Sequence, residues 1–275
     1  MRPTQQLLIL LIFISVLFSC APKPYSSTNK IYKKQVKALA KSITKIPENT
    51  DIADSAKIPA QWVGTINFGL RKPNTVIIHH TAQRSCEQTL TTFTNSKSKV
   101  SAHYVICKDG TLHHMLNDYL RAWHAGAGKW GGQADVNSSS IGIEIDNDGK
   151  EAFTEAQLNC LLGLLSKLKK NYNIATANFI GHAEIAPTRK VDPNVNFPWK
   201  RLAANGYGYW YDDTTGITLP PDFNANYALR IIGYDIADVA AANQAFRRHF
   251  ISLEKPGELS EEEKKVLFVL MKKYM

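Results

Sequence analysis

Gly181-His182-Ala183-Glu184-Ile185-Ala186-Pro187-Thr188-Arg189-Lys190-Val191-Asp192-Pro193 is the stretch around which the rest of the chain is organised. It shows neither helical nor strand periodicity and is broken by prolines at 187 and 193, so it predicts a long ordered loop. The loop follows a predicted strand at Asn178-Phe179-Ile180 and carries an imidazole, an ammonium and a carboxylate within eleven residues. Loops held over a rigid scaffold are where chemistry gathers. His182 and Asp192 are suitable zinc ligands, but two ligands do not make a site. Val76-Ile77-Ile78-His79-His80-Thr81 offers a third, His79, at the end of a short apolar strand.

At 275 residues the chain is long enough for one large domain and a small one. Hydrophobic residues at 44% and charged residues at 21% describe a globular protein rather than a disordered or fibrous one. The net charge of +9 suggests an acidic partner: nucleic acid, an anionic membrane or an anionic polymer. No dense Lys/Arg tract with interleaved aromatics is present, which argues against nucleic acid. The four cysteines, at 20, 86, 107 and 160, contain no C-x-x-C pair, which argues against a structural zinc cluster or a thioredoxin-type motif. Cys86 and Cys107 are equally compatible with a disulfide and with two buried thiols. Cys160 falls inside a helical apolar run and reads as core.

Met1-Arg2 and the apolar run from Leu7 to Phe18 make a secretory signal, too short to span a bilayer as a helix. Its end, Leu17-Phe18-Ser19-Cys20, resembles a bacterial lipobox, in which the cysteine becomes the lipid-bearing mature N-terminus. Residues 1–20 are therefore assigned to a lipoprotein signal. Residues 21–59, rich in Lys, Ser, Thr, Asn and Pro, form a tether with a short helix near residues 33–41.

Further along, Ser85-Cys86-Glu87-Gln88 has the capping-box form and opens a helix toward Asn95. Two short runs around Lys108-Asp109-Gly110 read as a β-hairpin. Ser140-Ile141-Gly142-Ile143-Glu144-Ile145 alternates as a strand, and Thr154 opens the longest helix, with apolar spacing through Leu168. Strands mixed with helices, one pair a hairpin, predict an α/β (α+β) domain: a mixed central sheet flanked by helices. Past the Gly/aromatic connector at residues 206–213, three helices are expected at 225–232, 236–250 and 261–274, N-capped for the last two by Asp235 and Ser260. They make a small all-α C-terminal unit, residues 212–275, following a main domain at residues 60–211.

His79, His182 and Asp192 would give zinc three ligands and leave a position for water, as catalytic sites do. Glu144 sits centrally in an otherwise apolar strand, an expensive place for a carboxylate unless it is paired or functional. The alternation also permits a plainer reading, in which Glu144 faces solvent opposite Ile141, Ile143 and Ile145. Lys190 lies two residues before Asp192, so both face one site if the loop is extended.

Five motifs in order, Val76-Ile77-Ile78-His79-His80-Thr81-Ala82, Ser101-Ala102-His103-Tyr104, Trp123-His124-Ala125-Gly126, Ser140 to Ile145, and Gly181-His182 with Lys190-Val191-Asp192-Pro193, resemble the type-2 N-acetylmuramoyl-L-alanine amidases over residues 60–205. The resemblance implies one zinc ion per chain, held by His79, His182 and Asp192. It makes Glu144 the residue that handles the water proton and Lys190 the residue that steadies the oxyanion. Trp123, His124 and His80 become substrate-side residues, His80 as a wall of the pocket. It implies an enzyme acting on peptidoglycan and its muropeptides, monomeric, lipid-anchored through Cys20 to a bacterial outer membrane and facing the periplasm. The C-terminal helices resemble a peptidoglycan-binding domain, chiefly through Gly233-Tyr234-Asp235 and the stretch Asn243 to Phe250, with a structural cap as the competing reading. The rival functions are a non-catalytic peptidoglycan receptor and a zinc peptidase cutting within the peptides. His103 is expected inside the sheet, and His113 and His114 are given no role.

Overall fold

A computed structural model describes residues 24–44, 65, 67 and 69–275. The predicted signal, the lipobox cysteine, both ends of the tether and the start of the main domain lie outside the described residues. Two units are distinguished, one up to residue 68 and one from Gly69 to Met275. In the first, helix α1 (Ser26–Ile43) is longer than the short segment expected, and none of its residues is buried. Its Lys, Gln and Ala residues are helix formers, and Pro24 and Pro47 bracket a span free of glycine and proline.

The second unit is built on a five-stranded sheet in the order β3-β2-β4-β1-β5. Its strands are β1 (Thr75–His80), β2 (Tyr104–Ile106), β3 (Leu112–His114), β4 (Ser140–Ile145) and β5 (Phe179–Gly181). β1 runs parallel to β4 and β5, β2 runs parallel to β4, and only the β2–β3 hairpin is antiparallel. The mixed sheet expected from the sequence is therefore present. At the hairpin turn Asp109 accepts from the Thr111 amide, and Gly110 takes a φ of +84°.

Alternation along β1 and β4 sorts the two faces. Val76, Ile78, Ile141, Ile143 and Ile145 pack under the leucines of the long helix α4 (Glu155–Tyr172), forming the main core. Thr154 opens the helix as predicted, and with Gln157 it closes a capping box there. At the start of the helix Cys86–Thr94 (α2) only half of that device forms: Ser85 accepts from the Gln88 amide, while Gln88 reaches back to the Arg84 amide instead. Cys86 and Cys107 are joined in a disulfide that ties α2 to the hairpin, and Cys160 is a half-buried free thiol packed against the core. The opposite face carries Ile77 and Ile180 with Ala125, Val136 and Ile185, and toward the strand ends it turns polar.

Three C-terminal helices, α7 (Ala225–Ile232), α8 (Val239–Phe250) and α9 (Glu261–Tyr274), follow the short helices α3 (Val136–Ser139), α5 (His182–Ile185) and α6 (Trp199–Ala204). They share an apolar cluster of their own. α8 starts three residues later than expected. Asp235 caps only a local turn through the Ala237 amide, whereas Asp238 accepts from Ala241 and opens the helix. Ser260 is the N-cap of α9 as predicted and forms a capping box with Glu263, and the buried Arg247 of α8 clasps Glu263. His249 of α8 stacks on Trp199 at 3.9 Å and pairs with the buried Glu184 of α5. Arg247, Arg248 and His249 are thus spent on internal contacts.

Candidate metal centre

Three parallel strands bring their carboxyl ends to one place, the usual position of a site in an open α/β sheet. His79 and Glu144 are direct neighbours in the β1–β4 register, both on the face away from α4. β5 delivers Gly181, and His182 follows as the first residue of the single-turn helix α5. The region predicted to be loop throughout therefore begins with a turn of helix. Gly181 is required by space: a side chain there would meet Glu184 at 2.5 Å, Pro193 at 2.7 Å and Trp199 at 3.0 Å. The loop then folds back, and the Ala183 amide donates to the Asp192 carbonyl at 2.8 Å. That clasp brings His182 and Asp192 together across ten residues.

His79 Nδ1, His182 Nδ1 and Asp192 Oδ2 form a triangle with sides of 2.9, 3.1 and 3.0 Å. All three residues are buried. His182 Nε2 lies 3.3 Å from the Ala125 carbonyl, which can only accept, so in the neutral ring Nε2 bears the hydrogen and Nδ1 is a bare lone pair. Burial foremost, and then the His182 ring, lowers the His79 pKa to about 4, so its imidazole is neutral at pH 7. Bare nitrogen and carboxylate lone pairs that converge at 3 Å repel unless a cation lies among them. The donor set, two imidazoles and one carboxylate, is the set zinc takes in catalytic sites. A second cluster, Cys86, Cys107 and His113, offers no thiolates, because its cysteines are disulfide-bonded.

An open pocket of about 330 Å3 covers the triangle, and Glu144, Lys190 and Trp123 all line it. Glu144 is half-buried in the pocket wall, not on an open surface as the plainer reading would have it. Its Oε2 is buried with no hydrogen-bond partner in the protein. Burial, with the Asp192 charge adding and Lys190 opposing, pushes its pKa up to about 8. Trp123 is 55% exposed, with the Arg121 guanidinium 4.0 Å over its ring. His80 and His124 also line the pocket but are buried and hydrogen-bonded. His80 Nδ1 accepts from the Asn194 amide, which anchors the chain just after Asp192. His124 Nδ1 lies 3.1 Å from His79 Nε2. His103 is inside the sheet as expected, accepting from the Gly142 amide, and His114 stacks on Tyr104.

Sequence reasoning missed Asn137, whose side-chain oxygen takes the amides of both His124 and Ala125, and Ser140, which sits against His124. The polar run Asn137-Ser138-Ser139-Ser140 before an apolar strand was the available signal. Residues 69–195 match the family model described as N-acetylmuramoyl-L-alanine amidase. The amidase AmiD of Escherichia coli is 31% identical over 230 residues, covering 72% of this chain and 82% of that protein.

This chain belongs to the N-acetylmuramoyl-L-alanine amidase family.

It is accordingly a hydrolase of that class. A second relative is the 1,6-anhydro-N-acetylmuramyl-L-alanine amidase AmpD of Haemophilus influenzae, 38% identical over 108 residues, 39% of this chain and 59% of that protein. Among solved structures, E. coli AmiD in complex with anhydro-N-acetylmuramic acid-L-Ala-D-gamma-Glu-L-Lys superposes with a TM-score of 0.67 at 28% identity, covering 77% of this chain and 93% of that one. AmpDh3 of Pseudomonas aeruginosa gives 0.68 at 28% identity, with 79% and 98% covered. Both likenesses cover more than three quarters of this chain, which is more than the family model matches.

Proposed function

We propose that this amidase is zinc-dependent and cuts the amide between the lactyl group of N-acetylmuramic acid and L-alanine of the stem peptide in peptidoglycan. The observation that carries this reading is the convergence of His79 Nδ1, His182 Nδ1 and Asp192 Oδ2 beside Glu144, whose Oε2 is buried and partnerless, in one open pocket. His79, His182 and Asp192 would hold the ion, one per chain. When bound, zinc supplies a Lewis acid that polarises the amide carbonyl and acidifies a water molecule.

The chain's own groups handle the rest. Glu144 accepts a proton from the attacking water and passes it to the alanine nitrogen, so that a C–O bond forms as the C–N bond breaks. Its pKa of about 8 without a metal falls when a cation binds nearby, which brings the carboxylate into range as a base near neutrality. The Lys190 ammonium lies on the pocket wall, where it can face the developing oxyanion. Trp123 presents an exposed aromatic face to the substrate. In the same reading the chain is a monomer, attached by a lipid on Cys20 to the outer membrane and facing the periplasm, with residues 21–59 as tether. Residues 212–275 help to hold the polymer.

The test is digestion of peptidoglycan with mass spectrometry of the products. Wild type should release peptides with a free L-alanine amine and leave glycans with intact lactyl groups. Cuts within the peptides alone would make the chain a peptidase, and binding without cutting would make it a receptor. Zinc should be near one per chain and drop strongly in His182→Ala. Intact-mass measurement decides the anchor: absence of acyl mass on Cys20 refutes it.

A further inference from the structure

We infer that His124 is a positioning residue for the metal centre, holding His79 through Ser140 in the tautomer whose Nδ1 is bare. The inference rests on the zinc reading above and concerns how one ligand is prepared. The direction of each hydrogen bond follows from the end of the chain of contacts. The Val136 carbonyl can only accept, and Ser140 Oγ lies 2.7 Å from it, so the hydroxyl hydrogen is committed there. Ser140 Oγ lies 3.2 Å from His124 Nε2 and must act as the acceptor. His124 Nε2 therefore carries the hydrogen, and His124 Nδ1 is the acceptor of that ring. His79 Nε2, 3.1 Å from it, must then donate. A neutral imidazole has one hydrogen, so His79 Nδ1 faces His182 and Asp192 as a lone pair.

The reversed relay is the competing arrangement. It would put the hydrogen on His79 Nδ1 and oblige Ser140 to donate across 3.2 Å to His124 while abandoning the 2.7 Å contact with Val136. Distance favours the first direction. Both rings and the Ser140 hydroxyl are buried, where an uncompensated imidazolium would be costly, so neutral rings are the species to count. The fold has also made room for this relay. A side chain at Gly142 would come within 2.4–2.7 Å of the His124 ring. Asn137 Oδ1 holds the backbone on either side of that ring, accepting from the His124 amide at 3.1 Å and the Ala125 amide at 2.9 Å. Ala125 in turn offers the carbonyl that sets the His182 tautomer. One short segment thus prepares both imidazole ligands.

The test uses full-length protein with histidine ring nitrogens labelled by 15N. In metal-free wild type, two-bond nitrogen–proton correlations should show His79 protonated at Nε2 and bare at Nδ1. Chelator competition then reads zinc affinity. His124→Phe and Ser140→Ala should each weaken zinc by about 10–100-fold, as loss of an outer-shell partner does, and should move His79 toward the Nδ1–H form. His124→Asn, whose side-chain oxygen can stand in for Nδ1, should keep the wild-type tautomer and stay within a few-fold in affinity. Ser140→Ala removes a single oxygen, so the answer stands even if the Phe variant does not fold. An Nδ1–H tautomer in wild type, or zinc affinity within about twofold of wild type in folded Ser140→Ala, overturns the inference. Failure of the zinc reading looks different: wild type would take up no zinc whatever tautomer His79 holds, and the inference falls with it.

Discussion

The region around Asp118 and the region around Glu144 each withdraw carboxylate oxygen from solvent, one on either face of the same sheet, and the protein treats them in opposite ways. On the α4 side, Asp118 accepts hydrogen bonds from Tyr104 at 2.9 and 3.0 Å and from Tyr172 at 2.8 Å, with His114 at 3.5 Å. Burial alone would raise its pKa, but the bonds from His114, Tyr172 and Tyr104 outweigh it and hold the carboxyl below its ordinary value. On the pocket side, Glu144 has an oxygen without a partner, and burial leaves its pKa at about 8. Asp146 lies between these cases, with one unpartnered oxygen and a backbone bond from Cys86. Burial therefore does not by itself separate the two carboxylates; what sets Glu144 apart from Asp118 is an oxygen without a protein partner at an open pocket.

The largest expected effect falls on turnover. Glu144→Ala should cut kcat by about 100-fold or more, and Lys190→Ala by about 100-fold, the scale of an acid–base or oxyanion group. Both should keep the proposed zinc, since neither belongs to the proposed ligand set; loss of metal in either variant would break the division of roles. Asp118→Ala should behave in the reverse manner. It strands the buried Tyr104 and Tyr172 hydroxyls, which should cost about 2–4 kcal/mol of stability, while kcat of the folded fraction stays near wild type. Chemical denaturation alongside single-turnover kinetics checks both halves.

A smaller effect separates the two carboxylates by pH. Glu144 has a native pKa above its unfolded value, so the native state holds the extra proton and metal-free stability should fall as pH rises from 4.5 to about 8. Asp118, whose native pKa is lowered, contributes stability above its unfolded pKa that is lost as pH falls through the native one. Glu144→Gln should therefore raise the Tm of metal-free protein at pH 9 by about 2–4 °C for each kcal/mol removed, with no gain at pH 4. A pH-independent difference would break the comparison. The smallest effect belongs to Glu155, an exposed carboxylate paired with Arg201 at 2.8 Å. Its replacement by Ala should shift Tm by about 2 °C or less at any pH, because solvent screens such pairs.

Some of the sheet was readable in advance and some was not. β4 and the starts of α4 and α9 were legible because their signals are local: strict alternation, or a hydroxyl residue just before a helical run. The start of α8 was misplaced because two aspartates, 235 and 238, compete as caps, and only packing of the helix chooses between them. α5 was missed because four residues are too few to show a period.

By itself the sequence determined the order of most elements and the five motifs that resemble the amidase family, and it singled out His79, His182, Asp192, Glu144 and Lys190 as the candidates for chemistry. Those features depend on residue type and short spacing, which a linear chain displays. The tertiary structure decided three further things: the disulfide between Cys86 and Cys107, the absence of a partner for Glu144 Oε2, and the ring nitrogens that face the metal position. It also tied α8 to α5 through His249 and Glu184. Each of these depends on a contact, or the lack of one, between groups 16 to 113 residues apart. Hydrogen-bond direction and desolvation are set by what stands within about 3 Å in space, and that distance is fixed only when the strands have paired and the loop has closed.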